Sequence, residues 1–139
     1  MANLNVDQKT VKDLFQDKKS DFLIPDYQRP YAWTDTHCQK LWDDVFEFAF
    51  PGKDYSKFDN TEYYLGPIVT FFNQDRGKIE VIDGQQRLTT LMLLLRAFYT
   101  NFSHMEDSES KTTRKNIEMC IWKTDEFEKP FQDALKIDS

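Results

Sequence analysis

The stretch from Lys78 to Tyr99, KIEVIDGQQRLTTLMLLLRAFY, decides the fold that we expect for this chain. In its first part, KIEVI, apolar residues alternate with Glu80, and this alternation predicts a β-strand. The last part predicts a helix over about residues 85–99, because apolar side chains recur at helical spacing: Leu88, Leu91, Met92, Leu95 and Phe98. Leu93 and Leu94 occupy the other side of that helix, so we expect it to be central and covered on most faces.

The turn between this strand and this helix, Asp83 to Arg87, has the residue types of an anion site. The first backbone N–H groups of a helix have no intrahelical partner and carry a partial positive charge. Gly84 lets a ligand approach the backbone closely, and Arg87 offers a planar set of donors that fits phosphate oxygens. The side chains of Gln85 and Gln86 add amide donors.

A purely structural interpretation of the same turn is equally compatible with these residues. Asp83 is a suitable helix N-cap, and its spacing from Arg87 allows a simple helical ion pair. A carboxylate at position 83 would also repel phosphate. A Mg²⁺ ion that bridges Asp83 to a triphosphate would remove this conflict.

A second candidate cluster lies in the segment IPDYQRPYAW, where Gln28 and Arg29 stand between two prolines and among aromatic residues. Its candidate binding residues are Tyr27, Gln28, Arg29, Tyr31 and Trp33. Pro25 and Pro30 hold this backbone extended, so a rigid loop is expected. The aromatic rings either pack under the sheet or line a ligand pocket. If the fold brings the two Gln-Arg pairs together, Arg29 and Arg87 form a clamp for a polyphosphate.

The rest of the chain predicts a small α+β domain. YYLGPIVTFF, residues 63–72, predicts a strand that pairs with KIEVI in a hairpin, and Gly66-Pro67 indicates a bulge or an edge position. Further predictions are a helix over residues 7–16, a short strand at 22–24 and a helix from Thr34, as N-cap, to about Phe48. HMEDSESKTTRK, residues 104–115, is interpreted as a loop or a frayed segment.

Composition excludes several classes of protein. The 139 residues carry 24 acidic and 18 basic side chains, a net charge of −6, which argues against DNA binding driven mainly by charge. No P-loop and no G-x-G-x-x-G motif occurs, and neither histidine belongs to a metal-ligand pattern. Cys38 and Cys120 are isolated, the stretch MANLNVDQKTVKDLF contains no apolar signal core, and LMLLL is too short to cross a membrane. We therefore expect a cytoplasmic protein without membrane partners.

Four motifs, IPDYQRPYAW, LWDDV, YYLGPIVTF and EVIDGQQRLTTLMLL, occur in this order. Together they resemble the amino-terminal domain of the GmrSD-type modification-dependent restriction endonucleases, over roughly residues 4–100. That resemblance implies a ParB/sulfiredoxin-like domain, with a small sheet packed against a central buried helix and flanking helices. It places a nucleotide-binding domain at residues 1–103 and the start of a truncated helical extension or tail at 104–139.

The resemblance also implies an activity, namely binding and hydrolysis of a nucleoside triphosphate, coupled to cleavage of modified or foreign DNA in restriction or phage defence. Asp83 and Arg87 would be the catalytic residues, with Asp83 as the Mg²⁺ ligand. Full-length members continue into a helical region and an HNH-type nuclease domain, which would be the partner of this chain. The alternative is a non-hydrolytic nucleotide- or DNA-sensing module that controls a partner nuclease. Sulfiredoxin chemistry is rejected, because Gln85 and Gln86 stand where a cysteine is needed; formation of a homo-oligomer stays open.

Overall fold

The computed structural model describes residues 6–17, 21–24, 32–59, 61–124 and 130–138. Four helices are present in this part of the chain: α1 (Val11–Gln16), α2 (Asp35–Ala49), α3 (Gln85–Phe102) and α4 (Ser108–Ile121). The strands are β1 (Phe22–Leu23), β2 (Val69–Asn73), β3 (Lys78–Asp83), β4 (Trp122–Thr124), β5 (Pro130–Leu135) and β6 (Ile137–Asp138). A 3₁₀ turn, Pro51–Lys53, follows α2.

The main sheet has four strands in the order β2-β3-β1-β6. β2 and β3 form an antiparallel hairpin, whereas β3 and β6 both run parallel to the short central strand β1. β4 and β5 form a separate antiparallel pair. This combination of helices with a small mixed sheet confirms the α+β character predicted from the sequence.

The predicted hairpin is confirmed, but its first strand starts later than expected. Val69 pairs with Asp83 and Asn73 with Lys78, and the register shifts between Val69 and Thr70. The irregularity therefore lies after Gly66-Pro67 and not at it. Gly66 instead precedes the strand and has a φ of 114°, a backbone conformation that residues with a Cβ rarely adopt.

The predicted central helix is also confirmed, as α3, and continues to Phe102. Its buried residues are Leu88, Thr90, Leu91 and Met92. Leu93 is 54% exposed, so the expectation that most faces are covered was wrong for that side of the helix. The main sheet and α4 cover the buried face, because the hydrophobic core joins Val81 of β3, Leu88 of α3 and Ile117 of α4.

The segment after α3 differs most from the sequence prediction. Residues 108–121 form α4 and not a loop or frayed end, with Asp107 as N-cap accepting a hydrogen bond from the Ser110 N–H at 2.9 Å. Ile117, Cys120 and Ile121 of this helix lie in the same core as Phe15 of α1. Residues beyond 103 thus contribute both to that core and, through β6, to the main sheet.

Lys136 joins the last strands to this core. Its backbone N–H donates to the Ile121 carbonyl at 3.0 Å, and its carbonyl accepts from the Phe22 N–H at 2.7 Å. Its ammonium group is almost fully buried and donates to the carbonyls of Phe15 and Asp17 at the end of α1. The side chain thereby satisfies carbonyl groups that a helix end leaves without partners. Within the described ranges, no helix is both long and apolar enough to span a membrane.

Candidate functional site

The turn from β3 to α3 requires a glycine for two reasons. Gly84 has φ 88° and ψ 14°, which is the left-handed region. A Cβ at this position would lie 3.1 Å from Cγ1 of Ile68 and 3.2 Å from the Pro67 carbonyl oxygen. The backbone therefore turns sharply here, directly against the segment that leads into β2.

The start of α3 has a glycine cap. Gly84 is the N-cap residue, and its carbonyl accepts from the Leu88 N–H at 2.9 Å. The Asp83 carboxylate accepts from the N–H of Gly84 itself, at 3.0 Å, so the interpretation of Asp83 as helix cap was wrong. These two described residues, Asp83 and Arg87, also form no salt bridge within 4.0 Å, which removes the ion-pair alternative.

Gln85 binds back to the strand that precedes it. Its side-chain Nε2 donates to the Val81 carbonyl at 3.1 Å and to the Ile82 carbonyl at 2.7 Å. These bonds fix the angle between the end of β3 and the first turn of α3. The amide that the sequence analysis assigned to a ligand therefore has a structural role in this arrangement.

Gln86 connects the two motifs that the sequence analysis singled out. Its Oε1 accepts from the backbone N–H of Ala32 at 2.6 Å and from that of Trp33 at 3.2 Å. Trp33 is half-buried, and its ring stacks on that of His37 with centroids 5.7 Å apart. The end of the YQRPYAW motif thus lies against the start of α3, although 53 residues separate Gln86 from Trp33.

Arg87 connects the turn to a third motif, YYLGPIVTF. Its Nη1 donates to the Pro67 carbonyl at 3.1 Å, and its guanidinium lies on the backbone of Gly66. A Cβ on Gly66 would be only 2.8 Å from Cζ and Nη1 of Arg87, so glycine at 66 is what lets the guanidinium take this position. The side chain is half-buried beside the first turn of α3.

The remaining predicted binding residues, Tyr27, Gln28, Arg29 and Tyr31, lie outside the described residues. The convergence of Arg29 with Arg87 therefore stays a prediction. Gly84, Gln85, Gln86, Arg87 and Trp33 are brought together around one turn, next to the exposed Asp83.

Two contributors to this site were not found by sequence reasoning. Gly66 and Pro67 were interpreted as marking a bulge or an edge position; β2, which follows them, is at the edge of the main sheet, and the pair also forms the surface on which Arg87 rests. Thr90 is the second: it is buried, and its hydroxyl donates to the Gln86 carbonyl at 2.8 Å. The Gly-Pro pair was a signal for Gly66, since an isolated glycine beside a strand often marks a close approach.

Fold and site together define a mixed α/β domain in which three separated motifs meet at one strand-to-helix turn. The chain belongs to the family described as the GmrSD restriction endonuclease, N-terminal domain, whose sequence model matches residues 11–139. This match confirms the resemblance seen in the four motifs and extends it through α4 and β6. No curated protein matches the chain at a significant level.

Proposed function

We propose that this domain binds a nucleoside triphosphate at the β3–α3 turn and hydrolyses it, as a module of a DNA restriction or phage-defence system. The observation that carries the proposal is the start of α3, where Gly84 caps the helix without a side-chain hydrogen bond, beside an anchored guanidinium. Such a helix start attracts phosphate oxygens, and the arginine adds a full positive charge.

Arg87 would hold the phosphate chain from one side. Its hydrogen bond to the Pro67 carbonyl fixes the guanidinium with one N–H, the only bond that this side chain makes to the described residues. A guanidinium has five N–H donors, so others remain for phosphate oxygens. Because the group is already positioned, little conformational entropy would be lost when a ligand binds.

Arg29 would hold the phosphate chain from the other side. Gln86 binds the backbone of Ala32 at 2.6 Å, immediately beside the turn. Three peptide links join residue 29 to Ala32, which limits the separation of their Cα atoms to about 11 Å. Tyr27, Gln28, Tyr31 and Trp33 belong to the same short segment and would complete the nucleotide site.

Asp83 is the residue proposed to hold Mg²⁺ or to orient the attacking water. Its carboxylate is exposed, and one of its oxygens accepts a hydrogen bond from the Gly84 N–H. The described residues contain no cluster of three or more His, Cys, Asp or Glu side chains, so phosphate oxygens and water would supply the other Mg²⁺ ligands. The ion would neutralise phosphate charge, and Arg87 would stabilise the charge that develops on the transferred group.

The proposal includes a ParB/sulfiredoxin-like relationship of the fold. It is supported by a mixed sheet in which β3 runs parallel to β1 and leads through a glycine turn directly into α3. DNA cleavage would need a partner, an HNH-type nuclease domain or subunit, through which modified or foreign DNA reaches the complex. The net charge of −6 agrees with a module that does not bind DNA by itself.

A nucleotide panel with matched variants tests the proposal. ATP, GTP, CTP and UTP are added with Mg²⁺, binding is measured by calorimetry and by the shift in melting temperature, and phosphate release is measured separately. Arg87→Ala should weaken binding at least about tenfold. Asp83→Asn should keep binding but lose hydrolysis. Arg76→Ala, which removes an exposed arginine from the β2–β3 turn, is the control and should behave as wild type.

The outcomes separate the candidate functions. Binding without phosphate release, also when partner domains and DNA are supplied, would favour the non-hydrolytic sensing module. Gln86 gives that alternative a physical route, because it couples the ligand-facing turn to the backbone just before α2. No binding of any nucleotide by wild-type protein would refute both nucleotide functions and leave the turn with its structural role alone.

A further inference from the structure

The outer surface of α2 is unusually exposed for a helix of its composition. Seven of its residues are apolar, yet no α2 residue is fully buried. Trp42 is 37% exposed. The other apolar side chains of α2 are half-buried, and an amphipathic helix of a globular domain normally buries its apolar stripe, so this face is only partly covered.

Aromatic rings continue from this face along the segment after α2. Ring centroids lie 5.3–6.0 Å apart from Phe98 of α3 through Trp42 and Phe46 to Phe50, and the ring of Phe50 contacts both Tyr55 and Phe58. We call these six rings the aromatic ladder. Its outermost rings are largely in solvent, since Tyr55 is 75% and Phe58 is 64% exposed.

The ladder is held by hydrogen bonds. The Asp59 N–H donates to the Ala49 carbonyl at 2.8 Å, which returns the segment to the end of α2. The Asp54 carboxylate accepts from both the backbone and the hydroxyl of Ser56, and these bonds lower the pKa of Asp54. The outer rings are thus presented by a loop with its own internal bonds and not by an extended chain.

The chain segment that carries most of the ladder has a net negative charge. Residues 35–62 contain seven Asp or Glu and three Lys side chains, so this stretch carries four of the six net negative charges of the chain. Asp43 is exposed on α2, and Glu62 adjoins Tyr63, whose ring lies 5.1 Å from that of Phe48. This field repels nucleic acid and a second copy of the same surface, and it attracts cations.

We propose that the aromatic ladder is a docking surface for a basic amphipathic segment of a partner protein. The apolar side of such a segment would pack on the rings of Trp42, Tyr55 and Phe58. Its Lys and Arg side chains would lie over ring faces and pair with the surrounding carboxylates. Aromatic side chains at the centre of an interface, with a charged rim, are the usual arrangement of residues that contribute most to binding.

The test uses the whole chain and a labelled helical peptide of Leu and Lys in amphipathic order, with a matched Leu and Glu peptide as the negative probe. Fluorescence anisotropy should show binding of the Lys peptide alone, and its affinity should fall as salt is added. Tyr55→Ala combined with Phe58→Ala should weaken binding at least about tenfold. Phe71→Ala, which removes a ring that is 56% exposed on β2, should leave it unchanged.

Charge reversal provides an independent arm. Asp43→Lys combined with Glu62→Lys should weaken binding at least about tenfold, whereas Asp75→Lys on the β2–β3 turn should have little effect. All substituted side chains are exposed, so melting curves should show folded variants. The proposal is overturned if the ladder variants bind the Lys peptide as tightly as wild type or if the Glu peptide binds equally well. It is also overturned if wild type binds duplex DNA or forms a dimer and the Tyr55→Ala, Phe58→Ala variant does not, because the surface would then hold DNA or a second copy of the chain.

Discussion

Replacing Gly66 with alanine should destabilise the domain through two effects that can be measured separately. The first is backbone strain, because a φ of 114° is rarely adopted by a residue with a Cβ. Strain of this kind costs about 1–3 kcal/mol. The second is steric, because the new methyl group would lie 2.8 Å from Cζ and Nη1 of Arg87 and 3.0 Å from its Nη2.

The steric effect has a magnitude set by what Arg87 loses. To make room, the guanidinium must leave the Pro67 carbonyl, which it contacts at 3.1 Å. A hydrogen bond from a charged donor contributes roughly 1.5–3 kcal/mol, and water partly replaces it at this half-buried position, so we expect a loss of about 1–2 kcal/mol. The single variant Gly66→Ala should therefore lose about 2–5 kcal/mol of unfolding free energy.

A double-mutant cycle isolates the contact. In an Arg87→Ala background no guanidinium meets the new methyl group, so Gly66→Ala should cost only its strain, and the coupling should be about 1–2 kcal/mol. Gly77→Ala is the matched control: its φ is 66°, but nothing lies within 4 Å of its Cβ position, so its cost should be the same in both backgrounds.

The assay is urea unfolding followed by tryptophan fluorescence and far-ultraviolet circular dichroism. A Gly66→Ala cost that is equal in both backgrounds, within about 0.5 kcal/mol, would show that Arg87 does not rest on Gly66 in solution. The same variant has a functional consequence under the proposed function. Because it displaces Arg87 without removing it, nucleotide affinity should fall even though no proposed ligand-binding side chain has been deleted.

Three further predictions concern groups away from this turn. Lys136→Met leaves carbonyls at the end of α1 without donors and should cost about 1–3 kcal/mol in urea unfolding. Burial lowers the pKa of Lys136 from its ordinary 10.5, so between the lowered pKa and 10.5 the unfolded chain binds more protons than the folded one. The unfolding free energy of wild type, relative to that of Lys136→Met, should therefore rise with pH through this range, and a fall in that difference would contradict the prediction. Burial raises the pKa of the Cys120 thiol, so in the native protein iodoacetamide should label Cys38 faster than Cys120, as mass spectrometry would show, and equal rates would refute the packing of α4. Hydrogen bonds from Ser110 lower the pKa of Asp107, so the stability that its cap contributes should be present above the ordinary carboxyl pKa and be lost as pH falls through the lowered pKa. Asp107→Ala should therefore reduce the melting temperature at neutral pH and match wild type in strong acid.

The hairpin and α3 were predictable because their signals are local. Alternation in KIEVI and the helical spacing of leucines are readable in a single window of sequence, and β3 and α3 occur where they were expected. α2 was predictable for the same reason, including Thr34 at its start. Its exposure was not predictable, because periodicity shows which face of a helix is apolar and not whether another element covers that face.

α4 was missed because its apolar residues are few and because its stability comes from packing and not from local sequence. SESKTTRKNIEMCI has apolar residues only in its last turns, so a window over its first half looks like a solvated loop. The helix is held by packing of Ile117, Cys120 and Ile121 into the core, an energy that no local propensity contains. Likewise, nothing near residue 136 indicates that a lysine there would bind the end of α1, which is 121 residues away from it in the chain.

The sequence alone determined the element types around residue 84, the residue types that could bind an anion there, and the family to which the chain belongs. Tertiary structure decided what those side chains do: Gln86 binds the backbone at 32 and 33, Arg87 lies on Gly66, and Asp83 is not the helix cap. The physical reason is the range of the interactions. Strand and helix patterns depend on neighbours within a few positions, whereas these contacts join residues 20 to 54 positions apart and exist only after the chain has folded.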